Sequence, residues 1–153
     1  MELYLIQHGE AKSKQEDPER PLTDIGAENI KKTAAFFKEL PKEIHLIWHS
    51  GKKRAEQTAE IFKETLGTDI LMEICEGLAP NDDISIIKEN IETAEQDSIA
   101  LVGHLPHLSR LASELLTGNR EREIIRFRNA GIVCLLGEIQ DWELEWMITP
   151  DII

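Results

Sequence analysis

Short apolar runs alternate along this chain with segments whose apolar residues recur every three or four positions, and this alternation constrains the fold more than any other feature. Apolar runs rich in branched side chains are typical of buried strands, and the three-to-four spacing is typical of helices with one buried face. Strands that alternate with helices favour a parallel sheet with right-handed crossovers. The pattern therefore predicts an α/β fold, a three-layer α/β/α sandwich with a mainly parallel central sheet, formed by residues 1–153 as one domain.

The bounds of the predicted elements follow from these runs and from the glycines and prolines between them. The predicted strands are the run that begins at Leu3, then Ile44 to His49, Ile70 to Ile74 and Ser98 to Gly103. The predicted helices extend from Thr23 to about Leu40, from about Lys52 to Leu66, from Ile84 to about Ala94, and from the residues after His104 to Gly118. Gly131 to Ile139 and Trp142 to Ile148, separated by Gln140-Asp141, predict a C-terminal antiparallel hairpin at the sheet edge.

The composition narrows the classes of partner and compartment. A net charge of −12 argues against general nucleic-acid binding, which needs a basic face that displaces counterions from phosphates. The chain has no apolar run of the roughly 18 residues that a membrane span needs. Its first residues lack the basic start of a secretory signal, so we expect a cytoplasmic protein without a membrane partner. Cys75 and Cys134 are far apart in the sequence, and both are predicted to be free core thiols.

Polar residues follow three of the predicted strands at the point where each strand ends. The carboxyl ends of parallel strands meet at one edge of the sheet, where ligands bind in open α/β folds. Arg54 is expected at the same edge, because it lies in the first turn of the helix that follows the second strand. The residues at the strand ends are Gln7 and His8, then His49 and Ser50, and then Gly103 and His104.

His8, His104 and Arg54 are the minimum set for phosphoryl transfer through an imidazole nucleophile. A neutral imidazole can attack phosphorus when its other nitrogen donates a hydrogen bond, and for His8 the Gly9 backbone and Glu10 are at hand. The transferred phosphoryl group carries negative charge, which Arg54 can bind through a bidentate fork and a protonated His104 through an N–H. The helix N-termini after the second and fourth strands add N–H groups and a dipole of the right sign. These residues predict a phosphate site in which His8 is the nucleophile.

Four segments of the chain form a recognisable set by their order and spacing. They are Gln7-His8-Gly9-Glu10, Arg20-Pro21-Leu22-Thr23-Asp24-Ile25-Gly26, Arg54-Ala55-Glu56-Gln57-Thr58 and Leu101-Val102-Gly103-His104-Leu105-Pro106. This set resembles the histidine phosphatase superfamily, also called phosphoglycerate-mutase-like. The short length and the segment from Glu76 to Pro80 resemble in particular the SixA-type phosphohistidine phosphatases, which remove phosphate from histidine-containing phosphotransfer domains.

The resemblance implies a role for each matching position. It makes His8 the residue that becomes phosphorylated, and it makes Arg54 and His104 phosphate ligands. Family members of this size use no metal, so the resemblance implies neither a metal nor a cofactor. It implies that the partner is a phosphorylated protein, such as a histidine-phosphotransfer domain, or a small phosphorylated molecule. The further predicted phosphate-binding positions are Gln7, Gly9, Ser50 and Leu105.

Position 7 departs from the family, which has arginine immediately before the nucleophile. Gln7 offers neutral hydrogen bonds but no charge. Loss of a charge-assisted bidentate contact to the transition state costs about 2 to 4 kcal/mol, or roughly 10² to 10³ in rate. Lys12, Lys52 or Lys53 could restore a positive charge from a different direction. A second departure is Gly51, where proline usually follows the serine of the second strand.

Several polar residues have competing interpretations. His104 and His107 could suggest a metal site, but Pro106 lies between them and no carboxylate follows at a suitable spacing. Glu10 and Glu76 are candidates for an acid or a supporting residue, and ordinary loop solvation explains them equally well.

Two functions remain open on the sequence. In the first, the protein is a phosphatase that hydrolyses phosphohistidine in a protein, or small phosphomonoesters, through a covalent phosphohistidine intermediate on His8. In the second, it is a phosphate- or phosphoprotein-binding relative with weak or no turnover, because Gln7 replaces the family arginine. We favour the enzyme, because His8, Arg54 and His104 are all present.

Overall fold

A computed structural model describes residues 1–138 and 140–153 of the chain. Six strands and four helices are found in these ranges. The strands are β1 (Glu2–Gln7), β2 (Leu46–His49), β3 (Leu71–Ile74), β4 (Ser98–Gly103), β5 (Ile132–Glu138) and β6 (Asp141–Ile148). The helices are α1 (Asp24–Lys38), α2 (Lys53–Leu66), α3 (Ile84–Thr93) and α4 (His107–Thr117).

The strands form a six-stranded sheet in the order β3-β2-β4-β1-β5-β6. The pairs of β2 with β3, β2 with β4 and β1 with β4 are parallel, whereas β1 with β5 and β5 with β6 are antiparallel. The prediction of a mainly parallel sheet with a C-terminal antiparallel hairpin is confirmed. Because β1 lies between β4 and β5, its carboxyl end is flanked on both sides, and it is a central position for a site.

The central strands β1 and β4 are buried on both faces of the sheet. Successive side chains of a strand point to opposite sides, so each strand contributes to two cores. Leu3 and Leu5 of β1 pack in the core beneath α3 and α4, whereas Tyr4 and Ile6 pack in the core beneath α1 and α2. Phe37 of α1 is almost completely buried in that second core, and burial of such a side chain contributes about 1.5–3 kcal/mol. With a helical layer on each face, the predicted α/β/α sandwich is confirmed.

The ends of several elements differ from the predictions. Strand β2 begins at Leu46 rather than at Ile44, which is buried but precedes the paired residues of the ladder. Helix α1 begins after Thr23, whose hydroxyl accepts from Gly26 N–H at 3.0 Å, and it ends at Lys38, before the predicted end at Leu40. Residues that flank a strand or helix also pack on the core. The apolar pattern therefore predicts elements that are longer than the hydrogen-bonded ones.

The hairpin contains a further difference. Asp141 was predicted to lie in the turn with Gln140, but it is the first residue of β6 and pairs with Glu138. The turn residues thus predict where β5 connects to β6, but they do not predict how far the pairing of the two strands extends. Ile139, predicted to end the first hairpin strand, lies outside the described residues.

Strand β3 is the short edge strand of the parallel part of the sheet. Its side chains are unusually exposed for a strand of this type, with Leu71 54% and Ile74 67% exposed. Ile74 is in register with His49, the last residue of β2. Its exposed side chain therefore lies at the carboxyl end of the parallel strands. Among the described helices, none is both long and apolar enough to cross a membrane.

Candidate active site

The carboxyl ends of β1, β2 and β4 meet at one edge of the sheet. Gln7 is in register with Gly103, and His49 is in register with Val102. The residues that follow β1 and β4 are therefore neighbours, and the rings of His8 and His104 have centroids 5.0 Å apart. The structure brings together two histidines that are distant in the sequence, as the strand ends predict.

His8 has one ring nitrogen engaged by the adjacent backbone. Its Nδ1 lies 2.6 Å from the carbonyl oxygen of Gly9, and because a carbonyl only accepts, Nδ1 carries the proton in this contact. Burial lowers the pKa of His8 to about 4, against the opposing effect of the Gly9 carbonyl, and the charges of Arg54 and Arg20 lower it further. The ring is therefore neutral at pH 7, and its Nε2 has a lone pair available for attack on a ligand.

Gly9 supports His8 from a tightly packed position. A side-chain carbon on Gly9 would lie only 2.9 Å from the carbonyl oxygen of Gly26, so only glycine fits against the start of α1. The N–H of Gly9 donates to Thr58 Oγ1 at 3.1 Å, and the Thr58 hydroxyl donates to the Arg54 carbonyl at 2.8 Å. The Gly9 backbone is thus the partner of the His8 ring, as the sequence predicts, whereas its N–H is bonded to Thr58, which ties the loop after β1 to α2.

Arg54 lies in the first turn of α2, where the sequence predicts it. Its Nε is buried and has no hydrogen-bond partner among the described residues. Burial, and then the charge of Arg20, lower the pKa of Arg54, but a guanidinium stays charged at neutral pH. Its fork is therefore a cation with unused donors beside His8.

His104 and Ser50 form a pair between the ends of β4 and β2. Ser50 Oγ lies 2.6 Å from His104 Nε2, whereas His104 Nδ1 is buried and has no partner among the described residues. Burial, and then the charges of His8, Arg54 and Lys52, lower the pKa of His104 to about 3. His104 is therefore neutral at pH 7, and it offers one ring N–H rather than the two of the protonated ring considered from the sequence.

Two of the helices that begin at this edge lack side-chain caps. Helices α1 and α3 are capped by Thr23 and Asp83, whose side chains accept backbone N–H groups of the first turn. Helices α2 and α4 follow Lys52 and Pro106, neither of which makes a side-chain cap. Their first-turn N–H groups and positive dipole ends face the edge of the sheet that holds His8, which favours an anion there.

Comparison with known proteins agrees with this geometry. The family model of the histidine phosphatase superfamily (branch 1) matches residues 3–79, half of the chain. The chain belongs to the histidine phosphatase superfamily. The phosphohistidine phosphatase SixA of Escherichia coli (strain K12) is 25% identical over 154 residues, which cover 98% of this chain and 94% of that protein.

Solved structures show the same fold. A protein histidine phosphatase SixA complexed with tungstate superposes with a TM-score of 0.88 at 24% identity, covering 99% of this chain and 98% of that one. The alpha-ribazole phosphatase of Shigella flexneri superposes with a TM-score of 0.75 at 16% identity, covering 98% and 97%. The histidine phosphatase fold therefore extends over almost the whole chain.

Gln7 stands where this superfamily has arginine, and its amide is held by a residue that the sequence did not suggest. Gln7 Nε2 donates to Asn129 Oδ1 at 2.5 Å, and the Ala130 N–H donates to the Gln7 carbonyl at 3.0 Å. The side-chain Oε1 of Gln7 is buried and has no donor among the described residues. The contact joins residues 122 positions apart, so no local pattern could have identified Asn129.

Arg20 is a second residue to which sequence reasoning assigned no role. It lies in one of the four segments that resemble the superfamily, and its backbone has a φ of 50°, in the left-handed region. Its Nε donates to the Lys12 carbonyl at 3.0 Å, and its charge lowers the pKa of both His8 and Arg54. Arg20 therefore brings a second guanidinium to the vicinity of these two residues.

The Gly51 departure has a structural reason. Gly51 has a φ of 85°, which proline cannot adopt, and its N–H donates to His49 Nδ1 at 3.1 Å, a bond that proline cannot make. The turn after β2 is therefore built differently at this position from that of superfamily members with proline.

The other predicted residues differ in their contacts and in their exposure. The Glu10 carboxylate accepts from the Thr23 hydroxyl at 2.8 Å and so supports the start of α1. Glu76 is exposed in the turn after β3, and Leu105, 40% exposed, follows His104. His107 is fully buried in the first turn of α4. Within the described ranges, no group of three or more His, Cys, Asp or Glu side chains is arranged to hold a metal ion.

Proposed function

We propose that this protein is a phosphatase that acts through a covalent phosphohistidine intermediate on His8. The observation that carries the proposal is the contact between His8 Nδ1 and the Gly9 carbonyl, because it leaves Nε2 unprotonated and directed away from the backbone. Arg54 and His104 supply donors beside this nitrogen. Together they match the requirements of phosphoryl transfer, which are positioning of the nucleophile and stabilisation of negative charge.

In the first step, His8 Nε2 attacks the phosphorus and the bond from phosphorus to the leaving group breaks. The electron pair of that bond goes to the leaving group, which takes a proton from water. Charge on the equatorial oxygens is balanced by Arg54 and by N–H groups at the start of α2 and α4. Gly9 stabilises the imidazolium that forms, because its carbonyl accepts a hydrogen bond from Nδ1–H throughout the step.

In the second step, water attacks the phosphorus of the phosphorylated His8 and the P–N bond breaks. Its electron pair returns to Nε2, the water loses a proton to solvent, and inorganic phosphate leaves. The neutral His8 is regenerated, since burial keeps its pKa near 4. The same donors serve both steps.

The substrate class that we propose is phosphohistidine in a protein. A leaving imidazole departs from a weak P–N bond and needs little acid assistance. This fits a site in which Glu76, the acid candidate, is exposed in a turn rather than buried beside His8. The similarity to the phosphohistidine phosphatase SixA over 98% of the chain supports this class, and small phosphomonoesters are the second substrate class of the proposal.

A binding protein without turnover is the second candidate, and one observation favours it. The buried Oε1 of Gln7 presents an unpaired acceptor where the superfamily has a cationic donor. An acceptor repels phosphate oxygens, so this side of the site weakens stabilisation of the transition state. Arg20 opposes this effect, because it adds a guanidinium to the vicinity of His8 and Arg54.

The test is hydrolysis of a chromogenic aryl phosphate and of a phosphohistidine protein by wild type, His8→Ala and Gln7→Arg. We expect wild type to hydrolyse the phosphohistidine protein and His8→Ala to lose at least about 10³-fold in rate, as for other nucleophile deletions. Acid-labile ³²P on the wild-type chain after rapid quenching would report the intermediate. An inert wild type with an active Gln7→Arg would establish the binding protein, and activity that survives His8→Ala would exclude the proposed nucleophile.

A further inference from the structure

A cleft of about 450 Å³ lies beside the phosphate site and shares Arg54 and Arg20 with it. It is bounded by the loop before α1, the start of α2 and the turn before α3. A volume in the range of about 300–1,000 Å³ is typical of sites that hold a whole small ligand, and it exceeds what one phosphoryl group requires. The lining residues with charge are Lys14, Glu19, Arg20, Lys52, Lys53, Arg54 and Asp82.

The charge of this cleft is opposite to that of the chain. Five of the charged lining residues are cations and two are carboxylates, whereas the whole chain has a net charge of −12. Asp82 is already used by the protein, because its Oδ2 accepts from the Ala79 N–H at 3.0 Å. Lys53 lies 3.9 Å from Glu56, at the outer limit of an ion pair, and remains 44% exposed. The cleft is therefore a local site of positive charge on an acidic protein.

The cations divide into an inner and an outer group. Arg54, Arg20 and Lys52 are close enough to lower the pKa of His8 or His104, so they belong to the phosphoryl group. Lys14 and Lys53 line the cleft farther out and are exposed. Neither Lys14 nor Lys53 is among the charges that lower the pKa of His8 or His104, so this outer pair is available to the rest of a substrate.

We propose that Lys14 and Lys53 bind carboxylate side chains of the polypeptide that carries the phosphohistidine. This inference rests on the proposed function, since it describes the surroundings of the phosphoryl group in the substrate. A phosphohistidine flanked by Asp or Glu places its phosphoryl group at His8 and its carboxylates in the cleft. The acidic remainder of the enzyme surface repels such a partner elsewhere and directs it to this face.

The apolar surroundings favour a polypeptide over a small dianion. Leu105 is 40% exposed next to His104, and Ile74 is 67% exposed with its side chain against the turn at Gly51. Both side chains lie at the sheet edge that holds His8 and outside the cleft lining, where a polypeptide longer than the cleft would contact them and a small anion would not.

The experiment compares two synthetic phosphohistidine peptides that differ only in flanking residues, two Asp in one and two Asn in the other. kcat/KM is measured for wild type, Lys14→Gln, Lys53→Gln and the double variant, with an aryl phosphate as a substrate that does not reach the cleft. Lys31→Gln, an exposed lysine on α1 outside the cleft, is the matched control. We expect wild type to prefer the acidic peptide and each cleft variant to lose up to about fivefold of that preference through KM. Salt raised from about 0.05 M to about 0.5 M should reduce this preference in wild type and in Lys31→Gln but not in the double variant.

Equal hydrolysis of the two peptides by wild type would overturn the inference and leave the proposed function intact. A parallel loss of aryl phosphate hydrolysis in the lysine variants would also overturn it, because the lysines would then act on the phosphoryl group. If neither the peptides nor the aryl phosphate is hydrolysed, the proposed function fails. Calorimetry then decides whether the cleft binds acidic peptides, by comparing the affinity of each peptide for His8→Ala and for His8→Ala with both lysines replaced. Pyrophosphate binding that depends on the two lysines as strongly as acidic-peptide binding would make the cleft a small-anion site and exclude docking.

Discussion

The two sides of His8 differ in charge. On the side of α2, Arg54 and Arg20 act on the ring of His8, and both are guanidinium groups. On the side of Gln7, which precedes His8 in the chain, Gln7 and Asn129 form a neutral amide pair, and the loop before β5 supplies Asn129. The residue next to His8 thus contributes an amide, whereas α2 and the loop before α1 contribute cations.

This difference shows that electrostatic stabilisation need not surround a phosphoryl group evenly. Negative charge in the transition state is spread over three equatorial oxygens, so cations on one side can neutralise much of it if their donors are held in place. The amide side then contributes shape but no charge. The following variants test this division, beginning with the largest expected effect.

Arg54→Gln should lower kcat/KM by about 10² to 10³, because it removes the charged fork nearest to the proposed nucleophile. Steady-state hydrolysis of a phosphohistidine substrate is the measurement. Arg122→Gln changes an exposed arginine in the loop after α4 and should leave the rate unchanged. A loss of less than about threefold for Arg54→Gln would mean that the cations of this side are interchangeable.

Gln7→Arg should raise kcat/KM by roughly tenfold to 10², because it replaces a neutral contact by a charge-assisted one. The gain is expected to be smaller than the loss in Arg54→Gln, since Arg20 already supplies charge near His8. Gln7→Met removes the unpaired acceptor without adding charge, so it should raise the rate less than Gln7→Arg does. If Gln7→Arg and Gln7→Met had the same effect, the charge at this position would be irrelevant.

Asn129→Leu should lower kcat/KM by about two- to tenfold, as expected for the loss of a neutral hydrogen bond that contributes about 0.5–1.5 kcal/mol. Asn129 acts through Gln7, so the effect should disappear in the Gln7→Arg background. A double-mutant cycle with these two variants measures the coupling. Additive effects would show that Asn129 does not position Gln7.

The smallest expected effect is a change of the His8 pKa in Arg20→Gln, measured by an NMR titration. Burial is the main reason that the His8 pKa lies near 4, and Arg20 contributes a smaller part, so Arg20→Gln should raise this pKa but leave it below 6.5. Unfolded histidine binds its proton near pH 6.5, so the free energy of unfolding should decrease as the pH falls from 6.5 through 4. In Arg20→Gln this acid-labile window should be narrower. An unchanged His8 pKa would place the Arg20 charge too far away to act.

The sequence was informative where a local pattern determines position. Strand ends located His8, Ser50 and His104, and the first turn of a helix located Arg54, because hydrophobic runs define where strands end and parallel pairing brings the ends together. The predicted α/β/α sandwich followed from the same runs.

Local patterns could not reveal contacts between distant segments. Asn129 is 122 positions from Gln7 and lies in an irregular loop without periodicity. The hydrogen bond from the Gly9 N–H to Thr58 forms because α2 packs closely against the loop after β1, and the sequence pattern does not specify that packing. The pKa of His104 likewise depends on its burial, which the strand pattern does not specify.

The uncapped starts of α2 and α4 have a thermodynamic consequence. Neither helix start has a side-chain cap, and Arg54 Nε and His104 Nδ1 have no partner among the described residues, so an anion at this edge would supply interactions that the folded chain alone does not make. Through linkage, an anion that binds only the folded chain stabilises it, by about 2.7 kcal/mol at a concentration of 100 times Kd. Orthophosphate, the product of the proposed reaction, should therefore raise the melting temperature. The size of this increase reports the fraction of the protein that has phosphate bound.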